Sequence, residues 1–207
     1  MKTRFEHAYV LNVMADDRPG IIAAVSGVIV ALGGNIDACS QTVLGGYFTQ
    51  ILVVSFPKTV AAQDIVVRIQ KAAPPGGALE VAARPYAAPV TPVEHKMGER
   101  FVITALGKDK PGIIHRFSQY LAGKDINIVD LYWDCAGEDF VLTAQVEIPK
   151  RWELALLQAD LDEMGREEGF SARVQHENIF VATNQLRLPG GQLIGNCFSA
   201  EASHGRQ

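Results

Sequence analysis

The sequence is poor in cysteine and in net charge, and it lacks a long unbroken apolar run. Three cysteines among 207 residues, Cys39, Cys135 and Cys197, are an odd number at wide spacing. They form neither a disulfide framework nor a CxxC metal pair. A formal net charge of −4 argues against a dedicated nucleic-acid binder, which needs a basic surface to release counterions. The longest apolar stretch, 21–35, is interrupted by Ser26, Gly27, Gly33 and Gly34 and is too short to span a bilayer. The first seven residues carry no apolar signal-peptide core, so a cytoplasmic protein is expected. With 48% hydrophobic residues the chain is too apolar for disorder throughout.

What the sequence does contain is a repeat. Residue n lies over residue n + 92 without a gap from Tyr9 over Phe101 to Pro57 over Pro149. The register pairs Asp17, Pro19, Gly20, Ile21 and Ile22 with Asp109, Pro111, Gly112, Ile113 and Ile114. It also pairs Asn35-Ile36 with Asn127-Ile128, Gly45 with Gly137, and Phe48 with Phe140. The matches cluster at turn and core positions, as two homologous domains would have them. We expect a first domain over 1–86, a semi-extended linker over 87–97 containing Pro89 and Pro92, and a second domain over 98–184. A C-terminal extension over 185–207 has no partner in the first repeat.

Each repeat reads as strand, helix, strand, strand, helix, strand. Phe5–Met14 and Arg100–Leu106 have the β-branched and aromatic content of strands. Asp17 and Asp109 stand where a helix cap belongs, with Pro19 and Pro111 in the first turn. Ile21, Ile22, Val25, Val28, Ile29 and Leu32 follow helical spacing, and Ile113, Ile114, Phe117 and Leu121 repeat it. Gly45-Gly46 signals a tight hairpin between Asn35–Leu44 and Tyr47–Phe56. Asn127–Cys135 and Asp139–Ile148 form its counterpart. Second helices around Ile65 and Leu157 and final strands over 79–86 and 170–176 complete the units. The order βαββαβ is the ferredoxin-like α+β fold: an antiparallel four-stranded sheet with both helices on one face.

Many functions share this fold, so the loop between the first strand and helix decides. A metal carrier needs a cysteine pair there, and an acylphosphatase-type loop needs an arginine among glycines. Asp17-Arg18-Pro19-Gly20-Ile21-Ile22 followed by Asn35-Ile36 resembles the ACT domain instead, and Asp109-Lys110-Pro111-Gly112-Ile113-Ile114 followed by Asn127-Ile128 resembles it again. Two such units in one chain are similar to the glycine cleavage regulatory type. The resemblance implies a non-enzymatic regulatory homodimer without cofactor or metal. It would bind a small molecule, foremost an amino acid, at ACT–ACT interfaces and act on a transcription regulator or a metabolic enzyme. The alternative is a ligand-independent protein-interaction module of the same type. Neither implies a nucleic-acid or membrane partner.

The chemistry of the motif agrees with that implication. A helix N-terminus offers unpaired N–H groups and a positive dipole end to a carboxylate. Gly20 and Gly112 leave room for close approach, with Ile21 and Ile113 following. Asp17 and Asp109 could accept from an α-ammonium group, or serve only as caps. Asn35 and Asn127 offer a donor and an acceptor, or merely shape the turn into the strand. By resemblance these eight residues are the candidate ligand contacts. Ala15 and Gly107 stand where amino-acid-binding ACT domains often carry a polar side chain. His115 is read as a solvated helix residue, and Cys39 and Cys135 as small buried or half-buried residues.

Overall fold

A computed structural model describes residues 2–87 and 98–184. Apart from residue 87, the expected linker and the extension over 185–207 lie outside the described residues, as does Cys197. The chain divides into two compact units, Met1–Pro92 and Val93–Gln207.

In the first unit β1 (His7–Asp16), α1 (Ile21–Ala31), β2 (Asn35–Leu44), β3 (Tyr47–Phe56), α2 (Ala62–Lys71) and β4 (Glu80–Pro85) follow in order. They pair antiparallel in the sheet order β2-β3-β1-β4. The second unit repeats this with β5 (Glu99–Lys108), α3 (Ile113–Gly123), β6 (Asn127–Ala136), β7 (Asp139–Ile148), α4 (Leu154–Glu168) and β8 (Phe170–His176), ordered β6-β7-β5-β8. The ferredoxin-like βαββαβ architecture is therefore present twice.

Alternation along the strands sets the layers. Leu11 and Val13 of β1 pair in register with Leu52 and Gln50 of β3. Together with Val54 and Phe56 they meet Ile21, Val25, Ile29, Ile65 and Ile69 in one apolar core. The second core joins Ile103, Leu142, Ala144 and Val146 to Phe117, Leu121, Leu157 and Leu161. Each large apolar side chain removed from water contributes about 1.5–3 kcal/mol. Ile22 and Ile114, expected on the buried helix face, stand out of it at 48% and 39% exposed.

Gly45 and Gly46 both take positive φ, 58° and 86°, the left-handed pair that a two-residue hairpin requires. Gly34 is needed for space: a Cβ there would lie 2.4 Å from the Phe56 ring. Both edge strands β2 and β6 carry a register shift at the same place, between Ile36 and Ala38 and between Ile128 and Asp130. Between α3 and α4, the Tyr120 hydroxyl donates to Asp160 (3.0 Å), which also pairs with Lys124 (3.0 Å). Partial burial first, and then the Asp160 contact, raise the Tyr120 pKa above the ordinary phenol range. The hydrogen bond from Lys124 is the main cause holding the Asp160 carboxyl below its usual value.

The second unit has one element that sequence reading passed over, α5 (Glu177–Asn184). It packs against β5 and β8, and the Gln145 side-chain amide donates to the Glu177 carboxylate. Val102 and Gln145 pair on the sheet face turned away from the Ile103–Ala144 core. They are nevertheless only 5% and 8% exposed. α5 thus shelters part of a face that a βαββαβ unit leaves bare.

Candidate functional site

The loop before α1 is built from both sides. The Asp17 N–H donates to the Gly46 carbonyl of the hairpin (2.8 Å), which brings the loop against the β2–β3 turn. The same bond recurs from Asp109 to Glu138 (2.8 Å). Arg18 reaches across to the segment 74–77: its Nη1 donates to the Pro75 carbonyl (3.5 Å), and a Cβ on Gly77 would lie 2.7 Å from the guanidinium. Lys108, at the end of β5, pairs with Asp139 (3.1 Å) and Glu138 (3.4 Å) of the second hairpin. The Asp139 hydrogen bond is the main reason its ammonium is held above the usual range.

The caps differ from expectation. Neither Asp17 nor Asp109 caps a helix through its side chain; the N-cap residues are Gly20 and Gly112, in the left-handed region at φ 98° and 97°. Both Asp amides are already committed to the hairpin carbonyls, so the chain must turn sharply after the proline to begin the helix. Only glycine adopts that turn at low cost. A Cβ at Gly112 would meet nothing within 4 Å, while one at Gly20 would meet Pro74 at 3.6 Å. Both helix N-termini are exposed, and that of the first unit has Pro74 beside it.

Ile21 and Ile113 turn their side chains into the cores, at 1% and 3% exposed, so only their backbone faces outward. The Asp109 carboxylate accepts from Cys135 Sγ (3.6 Å), which itself accepts from the Trp133 indole (3.1 Å). That indole lies flat on Phe140 at 4.3 Å. Cys39 and Cys135 are exposed, not buried or half-buried as expected, because they lie toward the hairpin ends of the edge strands β2 and β6, where most residues are exposed. His115 is exposed.

Asn35 and Asn127 lie at the other end. Each opens the strand that follows α1 or α3, opposite Ser55 and Glu147 respectively. Eleven helical residues separate Gly20 from this end of the unit, about 16 Å of rise. Within a single unit the structure brings Asp17, Gly20 and Ile21 together, and separately Asp109, Gly112 and Ile113, but it brings neither asparagine to its own loop. Asn35 donates from Nδ2 to Asp37 (2.8 Å). Ala15 is buried at 8%, and a Cβ on Gly107 would lie 2.5 Å from the Gly169 carbonyl oxygen. Ala15 belongs to the first core, and a side chain on Gly107 would collide with the Gly169–Phe170 backbone.

Sequence reading missed two polar groups. Gln50 faces the first core at 3% exposed, and its Oε1 has no hydrogen-bond partner among the described residues. Asp37, at the β2 register shift, has a buried Oδ2 likewise without a partner among the described residues. Among the described residues no group of three or more His, Cys, Asp or Glu has the arrangement of a metal site, and no helix is long and apolar enough to cross a membrane.

Known proteins resemble this chain in sequence and fold. A family model of the ACT domain matches residues 99–175. A UPF0237 protein of Methanosarcina acetivorans is 35% identical over 82 residues, which are 39% of this chain and 89% of that protein. One from Methanococcus maripaludis is 39% identical over 83 residues, 40% of this chain and 92% of that protein. The chain belongs to the ACT-domain family. Its two ACT units are also matched in fold by solved structures. A protein of unknown role from Galdieria sulphuraria has a TM-score of 0.67 at 24% identity, covering 82% of this chain and 98% of that one. A candidate glycine cleavage system transcriptional repressor has a TM-score of 0.57 at 18% identity, covering 82% and 96%. ACT domains are regulatory modules, generally without catalytic activity.

Proposed function

We propose that this ACT protein is a non-enzymatic cytoplasmic regulator that binds a free amino acid between ACT units. The observation that carries the reading is the separation of the two halves of the candidate site. The glycine-opened helix N-terminus, fit for a carboxylate, and the asparagine, fit for either end of an amino acid, lie at opposite ends of each unit. A zwitterion spanning only a few ångströms meets both halves only where one unit's loop faces another unit's strand. Two units of one chain, or of two chains in a homodimer, provide that. Ligand binding then favours one arrangement of units and changes affinity for a protein partner, a transcription regulator or a metabolic enzyme.

The burial of Ala15 and the crowding at Gly107 support a second reading, a ligand-independent interaction module. Calorimetry and thermal-shift measurements with each free amino acid at about 10 mM, ten times a millimolar Kd, separate the two. A saturable response to one or a few amino acids is expected. No response to any of them overturns the ligand reading and leaves the interaction module.

A further inference from the structure

The two units differ in one respect that bears on where an amino acid's ammonium group goes. In the first unit the Asp37 carboxylate is held by two donors on one oxygen. Asn35 Nδ2 and the Arg4 N–H both reach Oδ1, at 2.8 and 2.9 Å. Its second oxygen is buried and accepts from none of the described residues. Among the described residues no cationic side chain pairs with Asp37. Ser55 stands opposite Asn35 on β3, fully buried, and its Oγ accepts from the Phe5 N–H (3.1 Å). A short arm, Arg4 and Phe5, thus sits on two of three oxygens: its N–H groups donate to Asp37 Oδ1 and Ser55 Oγ, while Asp37 Oδ2 takes neither. The arm is fastened there by two backbone N–H groups.

The second unit solves the same position differently. The n + 92 register puts Val129 where Asp37 stands and Glu147 where Ser55 stands. Glu147 has a cation of its own, Arg100, at 3.9 Å. The first unit has Ala8 at that position. One unit therefore supplies an acid together with its positive partner, and the other supplies an acid with no positive partner among the described residues. A buried, uncompensated carboxylate oxygen is costly, and either a cation or a hydrogen-bond donor relieves it.

We infer that the Asn35–Asp37–Ser55 cluster of the first unit is a receptor for a primary ammonium group, covered in this state by the Arg4–Phe5 arm. Three oxygen acceptors, the two of Asp37 and Ser55 Oγ, suit the three N–H donors of an ammonium. The inference rests on the reading that the ligand is an amino acid, and it deepens that reading: the chain has one ammonium-binding end, not two. Displacing the arm frees Asp37 Oδ1 and Ser55 Oγ of their backbone donors, and the ligand's three N–H groups take these two oxygens and Asp37 Oδ2.

The test uses the full chain and the amino acids that give a response above. The responding amino acid and its N-acetyl derivative, which lacks the ammonium, are titrated into the wild-type protein. The amino acid is then titrated into Asp37→Asn, Ser55→Ala and Glu147→Gln. We expect saturation at one amino acid per chain and no binding of the N-acetyl form. Affinity should fall at least about tenfold in Asp37→Asn and by a smaller factor in Ser55→Ala, and stay unchanged in Glu147→Gln. Equal binding of the N-acetyl form by wild type, two equal sites per chain, or unchanged affinity in Asp37→Asn overturns the inference while leaving amino-acid binding intact. Absence of binding by any amino acid to wild type overturns both together. The N-acetyl comparison needs no variant and stands even if Asp37→Asn does not fold.

Discussion

Gly20 and Gly112 offer a controlled experiment within one chain. Their backbones are nearly the same, φ 98° with ψ −10° and φ 97° with ψ −6°, but their surroundings differ. A methyl group at Gly112 enters open space, and one at Gly20 reaches Pro74 at ordinary contact distance, 3.6 Å. If the glycines are there for conformation, alanine should cost the same at both, about 1–2 kcal/mol for a left-handed L-residue. In a domain of this size that lowers the melting temperature by about 4–8 °C per kcal/mol. Asparagine tolerates the left-handed region better and should restore part of the loss at both. Gly34 is the contrast. Its φ is not positive, and a Cβ there lies 2.4 Å from Phe56, so alanine should cost about 1–3 kcal/mol through overpacking and asparagine more than alanine. Urea unfolding followed by circular dichroism measures all six variants. Tryptophan fluorescence isolates the Gly112 variants, because both tryptophans, Trp133 and Trp152, lie in the second unit. A Gly112→Ala protein within about 0.5 kcal/mol of wild type would refute the conformational argument. A large loss at Gly20 with none at Gly112 would assign the first to its Pro74 contact.

Two further outcomes follow from buried polar groups. Gln50→Leu removes an acceptor that has no partner among the described residues and installs the residue that the second unit carries at the same register, Leu142. Calorimetry should show the variant more stable by about 1–3 kcal/mol, and a lower melting temperature would mean that the Gln50 amide is satisfied in solution. The folded chain holds the Tyr120 proton more tightly than the unfolded chain, whose phenol titrates near 10.0. That stability is complete below pH about 10 and is lost as pH rises toward the folded value. Urea midpoints should fall between pH about 10 and 12 in wild type, less steeply in Tyr120→Phe; equal slopes would exclude Tyr120 as the source.

Much of the architecture is legible in the sequence because turns and cores are written in residue type. Gly45-Gly46 permits little besides a tight hairpin, and Pro57 and Pro149 close the strands that follow. The helix caps are not legible. Asp17 beside a proline reads as a cap, but its amide bond to Gly46 comes from a turn distant in sequence, and that contact moves the cap to Gly20. α5 was missed because its β-branched and aromatic residues carry no helix signal of their own. The helix is held by the sheet face it covers. Gln50 was missed for a related reason: in Thr49-Gln50-Ile51 the polar and apolar residues do not alternate cleanly, so the sequence does not say which face turns inward. The candidate loops were visible because proline and glycine mark them. That each asparagine sits a helix length from its own loop is a property of the fold, and no local pattern carries it.

The register shifts at Asp37 and Val129 have a consequence for assembly. An outer strand with free backbone groups is a template on which another chain can grow, and a ten-residue template is a long one. A bulge interrupts the row of evenly spaced donors and acceptors and twists the strand away from the line a neighbour would follow. Any strand added along β2 or β6 therefore finds a uniform row only on the hairpin side of the bulge, and the end beside Asn35 or Asn127 is kept out of open-ended stacking. The irregularity that displaces Asp37 from the ladder also acts as a stop against runaway polymerisation, which leaves side chains, rather than backbone, to choose this protein's neighbours.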